Sequence, residues 1–350
     1  MTDVNVPGER EDAPGPPPPP SAHALHMALG FVLPRAIYAA AALGIPDELK
    51  TGPKDSVELA ERTHAHAPSL YRLLRALASV GFFTEGDDRR FALTPQGAAL
   101  QTDAPGFARS TILSLAGDLQ WRAFGEFLHS VTTGETAIEK AYGMSFFDCL
   151  SRDPVEATLF GEAMIGLGGA EPPAVAAAYD FRDVHRLVDV GGGSGHLLAT
   201  VLLASPWMHG VVYDQAHVTD AARERIATLG LADRCEIVDG DFFRCVPAGG
   251  DAYVLSHVLH DWDDRRCLTI LSNCRDAMGG SGRLLVVEMV CPAGDAPHPG
   301  KISDLVMLAI TGGMERTEEE YGALLANAGF ELARIVPTAS AVSVIEAVPA

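Results

Sequence analysis

Positive charge is scarce in this 350-residue chain: 26 Lys and Arg stand against 46 Asp and Glu, a formal net charge of −20. Affinity for nucleic acid depends on neutralising phosphates with Lys and Arg, so a nucleic-acid partner is not expected. Long apolar runs are missing too. No stretch of 18 consecutive apolar residues occurs, and the N-terminus lacks a basic-then-apolar leader. Neither a membrane span nor a secretory signal is expected, and the chain reads as cytoplasmic. Paired cysteine motifs are also lacking. The six cysteines, at 149, 235, 245, 267, 274 and 291, include no Cys-x-x-Cys and no His at zinc-site spacing. Reduced core thiols are expected, and no metal. Cys267, Ile270, Leu271 and Cys274 fall at i, i+3, i+4 and i+7, one face of a helix opened by Asp263 and Asp264.

What is present suffices for a large core: 47% of residues are hydrophobic, and the length suits two domains. Residues 1–20 end in a proline run and read as a disordered tail. From 22 to 49 an Ala/Leu-rich stretch interrupted at Pro34 predicts helices apolar around much of their circumference, which need a partner surface. Between 55 and 100 a short helix at 57–62 precedes a second with Leu70, Leu73, Leu74 and Leu77 on one face. A hairpin around Phe83 and Phe91 then completes the outline of a winged helix. Six acids against five arginines in 55–100 leave it at net −1, which favours a dimerisation or scaffold module over DNA binding. Residues 105–180 read as mostly helical. Their scattered aromatic and Met residues suit a core, or a hydrophobic substrate pocket.

Beyond Asp180 strands near 187–190, 211–214, 235–238, 252–256 and 283–288 alternate with helices near 195–204, 217–229, 263–278 and 317–327. That alternation predicts an α/β, doubly wound parallel sheet, closed by two antiparallel strands at 330–336 and 341–348. The chain is organised around residues 187–195, an apolar strand that ends at Asp189 and breaks into Gly191, Gly192, Gly193 and Gly195. Glycines there permit positive φ and a close ligand approach, and the helix that follows offers free N–H groups to an anion. Residues 196 and 198 are His and Leu, so the dinucleotide pattern Gly-x-Gly-x-x-Gly is not met, and no P-loop Lys follows. What remains is Asp-x-Gly-x-Gly-x-Gly, the turn of S-adenosylmethionine (SAM) methyltransferases. Asp214 lies 23 residues beyond Gly191 at the next strand's end, placed to accept ribose hydroxyls. Asp241 and Phe242 follow the third strand, suited to an adenine amino group and ring face. His257, inside the fourth strand's end, reads as structural, whereas His260 lies beyond it at the crevice mouth, where an imidazole can serve as base.

Taken in order, Asp189-Val-Gly-Gly-Gly-Ser-Gly195, Tyr213-Asp214, Gly240-Asp241-Phe242, His260-Asp-Trp262, Leu285-Val-Val-Glu288 and Gly312-Gly-Met-Glu315-Arg-Thr317 resemble the SAM-dependent O-methyltransferases of plant phenolics and bacterial aromatic natural products. The likeness runs over about 22–350 and includes Ala141-Tyr-Gly-Met-Ser-Phe-Phe147 and Phe160-x-x-x-Met164. The resemblance implies a Rossmann-like SAM domain at 181–350, a helical pocket segment at 105–180 and a winged-helix dimerisation domain at 21–104. Two chains would interlock as a homodimer. It implies SAM as cofactor, S-adenosyl-L-homocysteine as product and no metal, with a small hydroxylated aromatic as acceptor. By motif, Asp189, Gly191, Gly193, Asp214, Asp241 and Phe242 hold SAM, and His260 is the base, flanked by Glu288 and Glu315. Phe160, Met164 and Met307 line the acceptor pocket. Many relatives carry Lys where Ser256 stands; Ser can still hydrogen-bond to cofactor but brings no charge. Two other readings stay open: a SAM-binding member with non-methylating, hydroxylase- or pericyclase-like chemistry, and a ligand-sensing winged-helix regulator.

Overall fold

The computed structural model describes residues 19–350. Most of the expected 1–20 tail lies outside the described residues, and Pro20 already opens helix Pro20–Ala28. A 3-10 turn, Leu29–Phe31, joins it to helix Val32–Ala42. The break therefore precedes Pro34 rather than falling on it. Pro34 is the third residue of the second helix, within the first turn, where a missing N–H costs nothing. Among the described residues one helical stretch, Ser21–Ala42, is long and apolar enough by composition to cross a membrane, with a mean hydropathy of 1.4. Here it is tied to the body of the molecule, since Arg35 bonds the Ala116 carbonyl and Asp118 and lies over the Tyr38 and Trp121 rings.

Helix Ser56–Thr63 starts on a capping box in which Asp55 accepts the Val57 and Glu58 N–H groups and Glu58 accepts that of Asp55. Helix Ala67–Ala78 buries Leu70, Leu74 and Leu77 against Leu59, Phe83 and Phe91, while Leu73 is only partly buried. Phe83 and Phe91 belong to the antiparallel pair β1 (Phe83–Glu85) and β2 (Phe91–Leu93), so helix, helix and hairpin share one core. Seven helices follow between residues 108 and 178, the last two being Pro154–Gly168 and Glu171–Ala178.

The remaining chain forms a seven-stranded sheet. Its strands are β3 (Arg186–Val190), β4 (His209–Asp214), β5 (Cys235–Asp239), β6 (Ala252–Ser256), β7 (Arg283–Glu288), β8 (Phe330–Pro337) and β9 (Ser343–Pro349). They lie in the order β5-β4-β3-β6-β7-β9-β8. β3 to β7 are parallel, and β9 joins them antiparallel to both β7 and β8. Strands covered on both faces need an apolar run at their centre, as β6 has in 252–255 and β7 in 284–287. Helix Asp264–Met278 turns Cys267, Ile270, Leu271 and Cys274 into the core with no exposure. Each fully buried aliphatic side chain there contributes about 1.5–3 kcal/mol. All six cysteines are free thiols. One helix was not anticipated, Pro299–Ile310, which carries Met307. Strand order reverses between β3 and β6, which opens a crevice at their carboxyl ends.

Candidate active site

Five carboxyl ends of parallel strands supply the crevice. At the end of β3 the chain turns on Gly191, Gly193 and Gly195, all with positive φ, between 56° and 73°. A Cβ at Gly191 would lie 2.7 Å from the Val258 side chain and 3.5 Å from the Phe242 ring, so only glycine admits this approach. Gly193 faces open space, and its N–H donates to Asp214 Oδ2 at 2.8 Å, while the Gln215 N–H donates to Oδ1 at 2.7 Å. Burial raises the Asp214 pKa, and these two N–H groups oppose the rise. Asp189, 1% exposed, has no hydrogen-bond partner for either oxygen among the described residues. Its burial, with the charge of Asp214 beside it, pushes the pKa up to about 7; the Leu198 N–H opposes this without reaching hydrogen-bond geometry. Asp241 Oδ1 accepts the Phe243 N–H at 2.9 Å. The Phe242 ring packs edge-on against Phe243 and Trp262, and its carbonyl accepts from Asn273. Half-buried Ser256 closes β6.

A nucleoside-sulfonium cofactor fits this row on the molecule's own terms. The turn has no side chains where a backbone approach is needed, Gly193 opens outward, and carboxylates end β4 and begin the loop after β5. Together Asp189, Gly191, Gly193, Asp214, Asp241 and Phe242 border one concave strip, with Ser256 at its far side.

After β6 the structure corrects one reading. His257 is not within the strand; it follows the last strand residue with φ 53° and faces the site. Its Nε2 lies 2.7 Å from Glu171 Oε2, and its ring centroid is 5.2 Å from that of His260. The next three residues turn round the Glu288 carboxylate, which is 0% exposed at the end of β7. Its Oε1 accepts the N–H groups of Val258 and Leu259 at 3.0 Å each and of His260 at 3.4 Å. His260 Nδ1 then lies 3.3 Å from Glu288 Oε2 and 3.1 Å from Glu315 Oε1. Glu315 is itself held, accepting the Ser303 hydroxyl at 2.8 Å and giving its N–H to Asp304 at 2.9 Å. Buried Arg316 locks the loop from below through the Leu259, Trp262 and Met314 carbonyls and an ion pair with Asp264. A side chain at Gly313 would run into the His260 carbonyl, so the Gly312-Gly313 pair brings the Glu315 segment onto the loop.

Electrostatics follow from this crowding. Burial disfavours the charged imidazole of His260, but the carboxylates of Glu288, Asp261 and Glu315 outweigh it and push the pKa up to about 10. Burial pushes Asp261 up to about 6 against the pull of His260. Glu315 goes the other way: burial would raise it, yet the hydrogen bond and charge of His260, with Ser303, hold it below the ordinary range. His257 is likewise raised, burial being overcome by Glu171 and Glu288. Donor atoms of His257, His260 and Glu288 lie within 4.8 Å of one another, a spacing a cation could use. Nothing in the spacing of the sequence foretold this cluster.

The three expected pocket residues are not equally placed. Phe160 is partly buried, its ring 5.0 Å from Phe146 in a cluster with Val306, Ala309 and Ile310 of the helix that bears Met307. Met307 is half-buried. Met164, one turn beyond Phe160, is 39% exposed in the single chain. Phe147 stacks on Trp262 at 5.3 Å, joining the helical segment to the base loop. Sequence reasoning missed Glu171, Asp261, Ser303 and Asp304, each a polar residue brought in from a distant element or read as an ordinary loop acid.

Residues 121–331 match the O-methyltransferase domain, and residues 25–103 the O-methyltransferase dimerisation domain. The phenazine O-methyltransferase of Lysobacter antibioticus is 45% identical over 331 residues, covering 95% of this chain and 97% of that one. The crystal structure of LaPhzM superposes with a TM-score of 0.91 at 45% identity, covering 95% of this chain and 100% of the other. An O-methyltransferase from neocarzinostatin biosynthesis, solved with S-adenosyl-L-homocysteine and 1,4-dihydroxy-2-naphthoic acid, gives a TM-score of 0.83 at 38% identity, with 93% and 98% coverage. Relatives also include the aclacinomycin 10-hydroxylase of Streptomyces purpurascens, 36% identical over 92% of this chain and 88% of that one.

Proposed function

The chain belongs to the SAM-dependent O-methyltransferase family, and on that premise we propose that it methylates a hydroxyl of a small aromatic, secondary-metabolite acceptor with His260 as general base. We assign the dimerisation unit to 21–104, the helical pocket segment to 105–180 and the catalytic domain to 181–350. The enzyme works in the cytoplasm as a homodimer. Asp189, Gly191, Gly193, Asp214, Asp241, Phe242 and Ser256 hold SAM, and Phe160, Met164 and Met307 line the acceptor pocket.

One observation carries the base assignment: Nδ1 of His260 is fixed between Glu315 and Glu288, at 3.1 Å and 3.3 Å. Among the described residues the carboxylate paired with Nε2 is that of Asp261, at 3.9 Å, beyond hydrogen-bond reach, which leaves this nitrogen to face the acceptor. When bound, SAM supplies a methyl group activated by a sulfonium leaving group. The protein must therefore hold the acceptor oxygen in line and take its proton. A phenol titrates near 10, so only about a thousandth is phenolate at pH 7. With its pKa near 10 in the isolated chain, His260 rests as imidazolium at neutral pH. Gly191, Gly193 and Asp214 would hold SAM close to this loop, and the positive charge it brings would lower the His260 pKa toward neutrality. General-base help of this kind is worth roughly 10²–10⁴-fold.

Incubation with radiolabelled SAM and a panel of hydroxylated aromatics tests the proposal. Label in the acceptor supports it. SAM binding with no transfer to any acceptor points to the non-methylating chemistry that a hydroxylase relative makes conceivable. Absence of SAM binding would leave a ligand-sensing regulator, a role to which the acidic balance of 55–100 gives no support.

A further inference from the structure

We propose that His257 and Glu171 form a clasp that sets the acceptor-side helix Pro154–Gly168 against the loop carrying His260, and that both are positioning residues for acceptor binding. The inference rests on the function proposed above. It starts from the backbone: His257 adopts φ 53°, a left-handed conformation uncommon for residues other than glycine, although His, like Asn and Asp, enters it more readily than most. That conformation lets its N–H bond the Val287 carbonyl at 3.1 Å while its side chain leaves the sheet. Nε2 then meets Glu171 Oε2 at 2.7 Å, and Nδ1 lies 3.9 Å from Glu288 Oε2. His257 thus spans from Glu171 to the carboxylate that organises the base loop.

Glu171 sits at a joint. It opens helix Glu171–Ala178, whose Val175 is buried in the sheet's core together with Leu198 and Leu202. Helix Pro154–Gly168, bearing Phe160 and Met164, ends just before it, and Gly169 and Ala170 alone connect the two. Gly168 at the helix's end and Gly169 beside it give this short joint little stiffness of its own. A Cβ at Gly168 would lie 3.0 Å from Glu171 Oε2, so the carboxylate occupies the space a side chain there would take. The ion pair is partly shielded, with side chains 32% and 17% exposed, and it bridges 86 residues of sequence. The clasp is therefore the polar tie between the end of the acceptor helix and a residue three positions before the base.

The test uses full-length His257→Asn, which tolerates positive φ, and Glu171→Gln, which keeps shape and loses charge. Each should raise the acceptor KM about tenfold, the size expected on losing a charge-assisted hydrogen bond. The kcat should stay within about threefold, with SAM affinity and Tm little changed. The double variant should be no worse than the poorer single, because the two act as one unit. Unchanged KM in both singles, additive losses in the double, or a kcat defect without a KM defect would each overturn the proposal. Hydrogen exchange in the S-adenosyl-L-homocysteine complex gives a readout free of turnover. Amides of 154–168 should exchange faster in both variants, and unchanged protection there refutes the clasp even if no acceptor is ever methylated.

Discussion

Glu288 meets His260 at two points: Oε1 accepts its main-chain N–H at 3.4 Å, and Oε2 lies 3.3 Å from Nδ1 of its ring. One buried carboxylate therefore fixes both where the base loop runs and how its imidazole is turned. Glu315 approaches the same nitrogen from a different segment, so orientation is over-determined.

The structural role of Glu288 should show in stability. Glu288→Ala leaves the Val258 and Leu259 N–H groups without their acceptor, and each buried orphan costs about 1–3 kcal/mol. Chemical denaturation should show a loss of about 3 kcal/mol or more, whereas Glu288→Gln, which keeps an acceptor oxygen, should lose much less. Equal losses would mean that the loop does not depend on this carboxylate.

Asp214→Ala should weaken SAM binding. A carboxylate that accepts two ribose hydroxyls makes charge-assisted bonds of roughly 1.5–3 kcal/mol each, so calorimetry should find at least a tenfold loss. Unchanged affinity would remove Asp214 from the cofactor site.

Asp189 predicts a pH effect on stability. Its folded pKa, about 7, lies above the ordinary carboxyl value of 3.8, so the native state binds a proton more tightly than the unfolded chain. Stability from this group is fully present below pH 3.8 and lost as the pH rises through 7. Asp189→Asn, which stays neutral, should melt higher than the wild type at pH 8, and the advantage should vanish near pH 4. A variant less stable at pH 8 would show that the ionised carboxylate has a partner in the fold.

Leu25, Met27, Leu29 and Phe31 are all exposed on the N-terminal helical stretch of one chain. Light scattering should give about 74 kDa, twice the 37.0 kDa chain. Leu29→Arg combined with Phe31→Arg should shift the protein toward monomer. A double variant that remains fully dimeric would place the interface elsewhere.

Much of this was legible in the sequence because the physics is local. The turn after β3 needs positive φ, and only glycines supply it cheaply; the face of helix Asp264–Met278 is a periodicity; His260 lies just past an apolar strand. The misses have a different origin. His257 looked like a strand residue because nothing in Leu255-Ser256-His257 announces a left-handed backbone. Glu171 pairs with a residue 86 positions away, and no local pattern encodes such a contact. Helix Pro299–Ile310 begins at a Pro-Gly pair that reads as a turn, although Pro suits a helix's first position. Pro34 misled in the same way, being a helix-start residue read as a break.

The central claim is that His260 takes the acceptor's proton, and acceptor acidity tests it most directly. In the His260→Ala variant, kcat should fall by roughly 10²–10⁴ on a weakly acidic phenol, with SAM affinity little changed. Removing Glu288 in that background should add little further loss of turnover, since residues acting together are non-additive. A nitrophenol-like acceptor, already ionised near neutrality, should largely escape the His260→Ala defect. Equal losses on weakly and strongly acidic acceptors would contradict the account and make His260 a positioning residue.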